Sequence, residues 1–236
     1  VNELLDGRNV QFQDWSTAQT AWRIEYEDLS TAEWEAIRGL HEEMRGRLRT
    51  FVFFDPSSNL LAWSEEFERV VWVKDPFLEV TNGISDPLGG TNARLLTNSS
   101  VTNQRMMQRV AIPSSYVTAF SIWLRSDTPQ IVTLFRATEH KEIRISADWR
   151  RVELSGPGGG AYGETELGVE IPAGAAVAAF GAQLDAQPVP SDYKRSEARS
   201  GIFPTTRFAS DRLECWSEGP GRYRTVVTLE SILEAA

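Results

Sequence analysis

Residues 116–125 read Tyr-Val-Thr-Ala-Phe-Ser-Ile-Trp-Leu-Arg. After Ser126-Asp127-Thr128-Pro129 the chain continues Gln130-Ile131-Val132-Thr133-Leu134-Phe135-Arg136-Ala137. Side chains alternate along a strand, so Phe120, Ile122 and Leu124 share one face, and Ser121, Trp123 and Arg125 share the other. The Thr128-Pro129 pair ends the first run and lets a second begin. A strand, a short turn and another strand, with almost no helical period, is the unit from which the middle of the chain is built.

The same pattern extends outward from about Asn59 to Tyr193. Asn82-Gly83, Asp86-Pro87, Gly89-Gly90, Pro113 and the glycine-rich run from Gly156 to Gly160 punctuate it. Residues 105–111, 149–154 and 175–184 are further strand candidates. Many short strands between closely spaced turn signals predict a sandwich or jelly roll.

The flanks differ. Trp22, Ile24 and Tyr26 alternate with Arg23, Glu25 and Glu27, the period of a half-buried strand. Ser30 with Glu33 three residues on forms a capping box, and Trp34, Ile37, Leu40 and Met44 make one helical stripe. Gly46 suits the helix end, and residues 50–54 form a second strand, broken by Asp55-Pro56. Near the C-terminus residues 212–217 and 223–230 read as a hairpin joined through Gly219-Pro220-Gly221. Neither flank is stable alone, so the ends are expected to pair across the middle. The predicted fold is mainly β: a jelly-roll β-sandwich (residues 58–203) inserted into a small discontinuous α+β frame with one main helix (residues 1–57 and 204–236). Insertion at an exposed loop tip is structurally cheap.

Composition narrows the function classes. The net charge of −9 opposes nucleic-acid binding, which needs a concentrated basic surface. Arg45, Arg47 and Arg49 cluster locally but read as a solvated helix end beside Glu42 and Glu43. No apolar run reaches membrane-spanning length, and the start at Val1 does not resemble a signal peptide. Cys215 is the single cysteine, read as a small buried hydrophobe, which leaves no intrachain disulfide or thiolate cluster. His41 and His140 lie in no ligand-spaced motif; the first reads as a helix-face residue, the second as part of an exposed polar turn. No nucleophile elbow is present. The glycines at 156–160 lack the Lys-Ser/Thr of a phosphate loop. Carboxylate pairs for glycoside hydrolysis form through space, and nothing singles one out. The eight tryptophans, spread from Trp15 to Trp216, read mostly as core anchors.

Asn59-Leu60-Leu61-Ala62-Trp63-Ser64-Glu65-Glu66-Phe67-Glu68, followed by Trp72, resembles the opening of jelly-roll modules found in bacteriophage tail and other virion proteins. Later landmarks fall in the same order: Asp86 to Thr91, Phe120 to Arg125, Trp149-Arg150-Arg151-Val152, Phe180 to Leu184, and Pro190-Ser191-Asp192-Tyr193. The series covers more than half of the chain, and Asp185 stands where those modules usually have Glu. Arg45 to Phe53, Asp55-Pro56, Thr206 to Phe208 and Asp211 to Leu213 resemble small tail proteins near the distal end of the tube.

The resemblance implies a non-catalytic virion structural protein of the distal tail or baseplate, made in the bacterial host cytoplasm. Its expected partners are itself, as a ring, other tail proteins (tube, hub, baseplate) and host-surface polysaccharide, with no nucleic acid and no membrane insertion. Trp34, Arg45, Arg47 and Arg49 are the implied subunit contacts. A stand-alone lectin-like protein and a cryptic glycan hydrolase are the alternatives. Glycan recognition stacks sugars on aromatic platforms beside polar groups, which nominates Trp123 and Arg125, with Gln108 and Trp149 as neighbours; Trp123 packed beneath a loop or against the frame is the competing reading. No cofactor is required. Related sandwiches often hold a structural calcium, for which Glu65, Asp86 and Asp185 offer hard oxygen ligands; ordinary surface acids are the plainer reading.

Overall fold

In chain order the elements begin with β1 (Asn2–Glu3), β2 (Asn9–Val10), β3 (Ala18–Ser30), helix α1 (Thr31–Glu43) and β4 (Phe51–Phe54). There follow β5 (Val73–Lys74), β6 (Leu78–Ile84), β7 (Ala93–Asn98), β8 (Gln104–Val110), β9 (Val117–Arg125) and β10 (Gln130–Arg136). The last are β11 (Glu139–Ile145), β12 (Arg150–Pro157), β13 (Thr165–Ile171), β14 (Ala176–Asp185), β15 (Ile202–Phe208), β16 (Cys215–Gly219) and β17 (Arg222–Leu233). This computed structural model describes residues 2–3, 9–10, 18–159 and 163–233; the readings placed on Trp15 and Gly160 lie outside them. The chain divides into two compact units, Val1–Phe53 with Phe203–Ala236, and Phe54–Ile202.

The second unit is a sandwich of two five-stranded antiparallel sheets, ordered β11-β10-β13-β8-β5 and β12-β9-β14-β7-β6. Phe120, Ile122 and Leu124 of β9 meet Val132 and Leu134 of β10 and Leu167 and Val169 of β13 in one buried core. Each such side chain stabilises the fold by about 1.5–3 kcal/mol relative to leaving it in water. Trp72 and Phe67 close the core edge-to-face at 5.1 Å. Asn59, first residue of the recognised opening, acts as a staple: its Oδ1 accepts from the N–H of Leu61 and of Leu184, and its Nδ2 donates to the carbonyls of Ala182 and Lys194.

Two local expectations are corrected. The polar stretch around His140 is strand β11, not a turn; the turn is Ala137-Thr138, with Ala137 left-handed at φ 50°. Only Ile143 and Ile145 are buried on β11, so its alternation is too short to stand out. Asn82-Gly83 lies within β6, at a register irregularity against β7, with Gly83 at φ 84°.

In the first unit β16, β17, β15 and β4 form a sheet, and β3 pairs with β17 from Leu233↔Ala18 to Arg222↔Ser30. Ser30 caps α1 in a reciprocal box with Glu33, whose carboxyl is held below its ordinary value by the Ser30 hydroxyl and N–H. The helix gives way to Arg45 (φ 53°) and Gly46 (φ 60°). A Cβ at Gly46 would come within 2.9 Å of the Asp211 backbone, so glycine is required there. Among the described residues, Phe208, Val227 and Leu229 are the buried apolar members of this unit's central cluster, ringed by half-buried Trp22, Ile24, Tyr26, Ile37 and Met44.

Candidate functional site

Both sheets of the sandwich present an outer face, and the faces differ. On the β9 sheet the outward residues include Ser121, Trp123 and Arg125 of β9, Arg151 of β12 and Phe180 of β14. The segment after β14 lies over them. The Tyr193 ring meets Trp123 at 5.3 Å and Phe180 at 5.5 Å. Its hydroxyl donates to the Glu65 carboxylate at 2.9 Å and lies 2.9 Å from Ser64 Oγ; burial pushes the Tyr193 pKa far up. Gly181, at φ 62°, passes so close that a Cβ would stand 3.0 Å from the Trp123 ring. On the remaining side the Arg151 guanidinium sits 4.6 Å from the Trp123 ring centroid and donates to Ser191 O and Ser121 Oγ. Trp123 is half-buried, with Tyr193, Phe180 and Arg151 set around its ring.

Arg125 pairs with Trp149, its guanidinium 5.4 Å from the ring, and lines a cavity of about 400 Å³ with Leu95, Asp127, Ala176 and Ala178. The structure thus brings Trp123, Arg125 and Trp149 onto one face. Gln108 does not join them. It lies on β8 of the facing sheet, only 3% exposed, with its amide accepting from Ala62 N–H and donating to Ala62 O, both at 3.0 Å.

The three carboxylates considered for calcium are engaged by protein donors. Glu65 takes Tyr193 and lies 3.6 Å from Arg195. Asp185 takes Gln183, Ser191 and Lys194. Asp86 accepts from the N–H groups of Leu88, Gly90 and Asn92; burial opposes its ionisation, but these bonds outweigh it and hold the carboxyl below its ordinary value. Among the described residues no three His, Cys, Asp or Glu side chains converge to hold a metal.

The outer face of the β10 sheet was not anticipated. Register places His140 (β11), Phe135 (β10), Gly168 (β13), Met107 (β8) and Val73 (β5) in one row across all five strands. Gly168 has no side chain and cannot gain one, because a Cβ would run into the β8 backbone at Met106 and Met107. This row, the trough, lacks a side chain at its centre. Phe135 points outward but is only 3% exposed, capped by His140 stacked at 6.2 Å and by the Arg105 guanidinium 5.1 Å from its ring.

Hydrogen-bonding banks flank the trough. On one side stand Arg105, Glu170, Thr133 and Glu142, with Arg105 bonded to Glu170 at 2.9 Å and Asn103 to the same carboxylate at 2.8 Å. Burial opposes the Glu170 charge, yet these partners keep its pKa below the usual glutamate value. On the other side Arg109 pairs with Glu166, beside a cavity of about 420 Å³ lined also by Ala137, Thr138 and Glu164. The exposed His140 ring and the Arg105 guanidinium over Phe135 are planar groups that can meet a sugar ring, with the banks bonding its hydroxyls.

In the first unit Trp34 stacks on Tyr223 at 6.3 Å and is half-buried. Arg45, Arg47 and Arg49 are exposed; the Arg47 N–H donates to Asp211, and the Arg49 side chain reaches Glu43 O at 3.5 Å. His41 lies half-buried on its helix, its Nε2 3.1 Å from Ser210 O. Cys215, expected to be buried, is only partly so.

No family model and no curated sequence matches the chain. Solved structures do match it. Their folds are jelly-roll carbohydrate-binding modules and a phage tailspike domain. TmCBM61 in complex with beta-1,4-galactotriose aligns at TM-score 0.44 and 17% identity, over 54% of this chain and 98% of that one. The CBM22-1 xylan-binding domain of Paenibacillus barcinonensis Xyn10C aligns at 0.44 and 13%, over 54% and 93%. The enzymatically active domain of bacteriophage CBA120 tailspike protein 4 aligns at 0.43 and 14%, over 56% of this chain and 22% of that one.

Proposed function

We propose that this chain is a non-catalytic structural component of a phage or phage-like tail, in the distal or baseplate region, whose sandwich attaches to host-surface polysaccharide through the trough. The observation that carries the binding reading is the apolar row from His140 to Val73 between two hydrogen-bonding banks.

The tail reading is supported by the sequence resemblance of the frame and by the incompleteness of the first unit. β3 is thirteen residues long and, among the described residues, pairs along one edge only. No α1 side chain is fully buried. An unpaired edge and a half-covered apolar face are what a subunit of a larger assembly presents. The frame makes the ring contacts, by strand pairing along β3 and through α1, and the sandwich is displayed.

Screening the full chain against immobilised bacterial capsular and cell-wall polysaccharides tests binding. Retention of at least one polymer, weakened by His140→Ala and not by Trp123→Ala, is the expected result. Silence across all polymers contradicts it. Native mass spectrometry tests the frame: cyclic oligomers, hexamers first, are expected, and a strict monomer at high concentration contradicts them.

A further inference from the structure

The banks of the trough carry Arg105 and Arg109 against Glu142, Glu164, Glu166 and Glu170, so the trough itself is net acidic. Its β11 end is different. β11 and β12 are edge strands of the two sheets, and a groove of about 330 Å³ runs between them. Lys141, Arg144, Arg150 and Arg151 line it, against Glu142 and Glu153. Lys141 spans the groove, its Nζ donating to Glu153 O at 2.8 Å, and Arg151 is spent on Ser191 and Ser121.

Arg144 and Arg150 are exposed and, among the described residues, make no ion pair. Glu142 belongs both to the bank of the trough and to this groove, so the two are continuous.

We infer that the polysaccharide bound in the trough is acidic, and that as it leaves over β11 a uronate carboxylate is held by Arg144 and Arg150. The inference rests on the trough being the sugar site. A guanidinium presents paired N–H donors that match a carboxylate in bidentate fashion. The unpaired arginines supply an attraction for a carboxylate that the glutamate-rich banks do not. Because the groove is open to water, that attraction weakens as ionic strength rises.

The test uses three uronate polymers, polygalacturonate, alginate and hyaluronate, each beside its methyl ester, with binding to the full chain measured by calorimetry at low and high salt. At least one acid form binds at least tenfold tighter than its ester, and the preference shrinks with salt. Arg144→Gln with Arg150→Gln removes the preference and leaves ester binding unchanged. Esters and acids binding alike, or a double variant that keeps the preference, overturns the inference while the trough reading stands. Ester binding insensitive to His140→Ala overturns the trough reading instead. Failure of every acid form to bind at low salt overturns the inference outright. Should the double variant only aggregate more, with its acid preference intact, the arginines merely guard a sheet edge and the inference fails.

Discussion

On the β9 sheet, Trp123 and Phe180 point outward and are met by Tyr193, Arg151 and the chain that follows β14. On the β10 sheet, Phe135 and Met107 point outward, and the Phe135 ring is met by His140 and Arg105 of its own sheet. Both faces start from the same alternation, with apolar residues where a solvated sheet would carry polar ones. The first is met by a segment from far along the chain; on the second the ring is capped by His140 and Arg105, between charged banks. Aromatic residues on an outer face therefore do not identify a binding surface until the covering segment is known, and here that segment lies some seventy residues from Trp123 in sequence.

The largest expected effect lies on the covered face. Trp123→Ala removes a ring packed against Tyr193, Phe180 and Arg151, and should cost about 3 kcal/mol of stability in chemical denaturation, with polysaccharide binding unchanged where the protein is folded. A stable variant that no longer binds would reverse the roles of the two faces.

On the open face Arg105→Ala should weaken polysaccharide binding about tenfold, or ~1.4 kcal/mol, because it strips one bank and releases Glu170 and the Phe135 ring. Its effect on the denaturation midpoint should be smaller than that of Trp123→Ala. Equal losses of stability would mean that Arg105 is a packing residue like its counterpart.

Between the faces lies Arg136, 1% exposed, with Nη1 donating to Thr118 O and Oγ1 but Nε and Nη2 lacking partners. Burial pushes its pKa down. An incompletely paired buried cation is costly, so Arg136→Met should raise stability by about 1 kcal/mol. A marked destabilisation would show that the charge organises the end of the sandwich.

The smallest expected change is with pH. Glu170 titrates below the ordinary glutamate value of 4.5, so its contribution to stability is present above 4.5 and is lost only as pH falls through the lowered folded value. Binding through this bank should stay flat from neutral pH to about that point and decline below it. A decline centred near neutrality would assign the dependence to a group other than Glu170.

The sandwich was legible because β9, β10 and β14 are short runs rich in apolar residues between turn signals, and the capping box at Ser30 was legible because its partners are three residues apart. The trough was not. β13 carries Gly168 in the middle of its outward set, and β11 reads as polar until Ile143 and Ile145 are placed in the core. Gln108 and Trp123 alternate correctly within their own strands, yet they fall on different sheets and point to different sides. Pairing order, which puts β8 beside β13 and β9 beside β14, is a non-local property that period-two patterns do not carry.

Amide chemical-shift mapping during titration with a bound polysaccharide fragment tests the account most directly. The account predicts perturbations concentrated at Arg105, Met107, Phe135, His140 and Gly168, with little change at Trp123, Arg125 and Trp149. Perturbations confined to the latter three and the cavity beside Arg125 would contradict it.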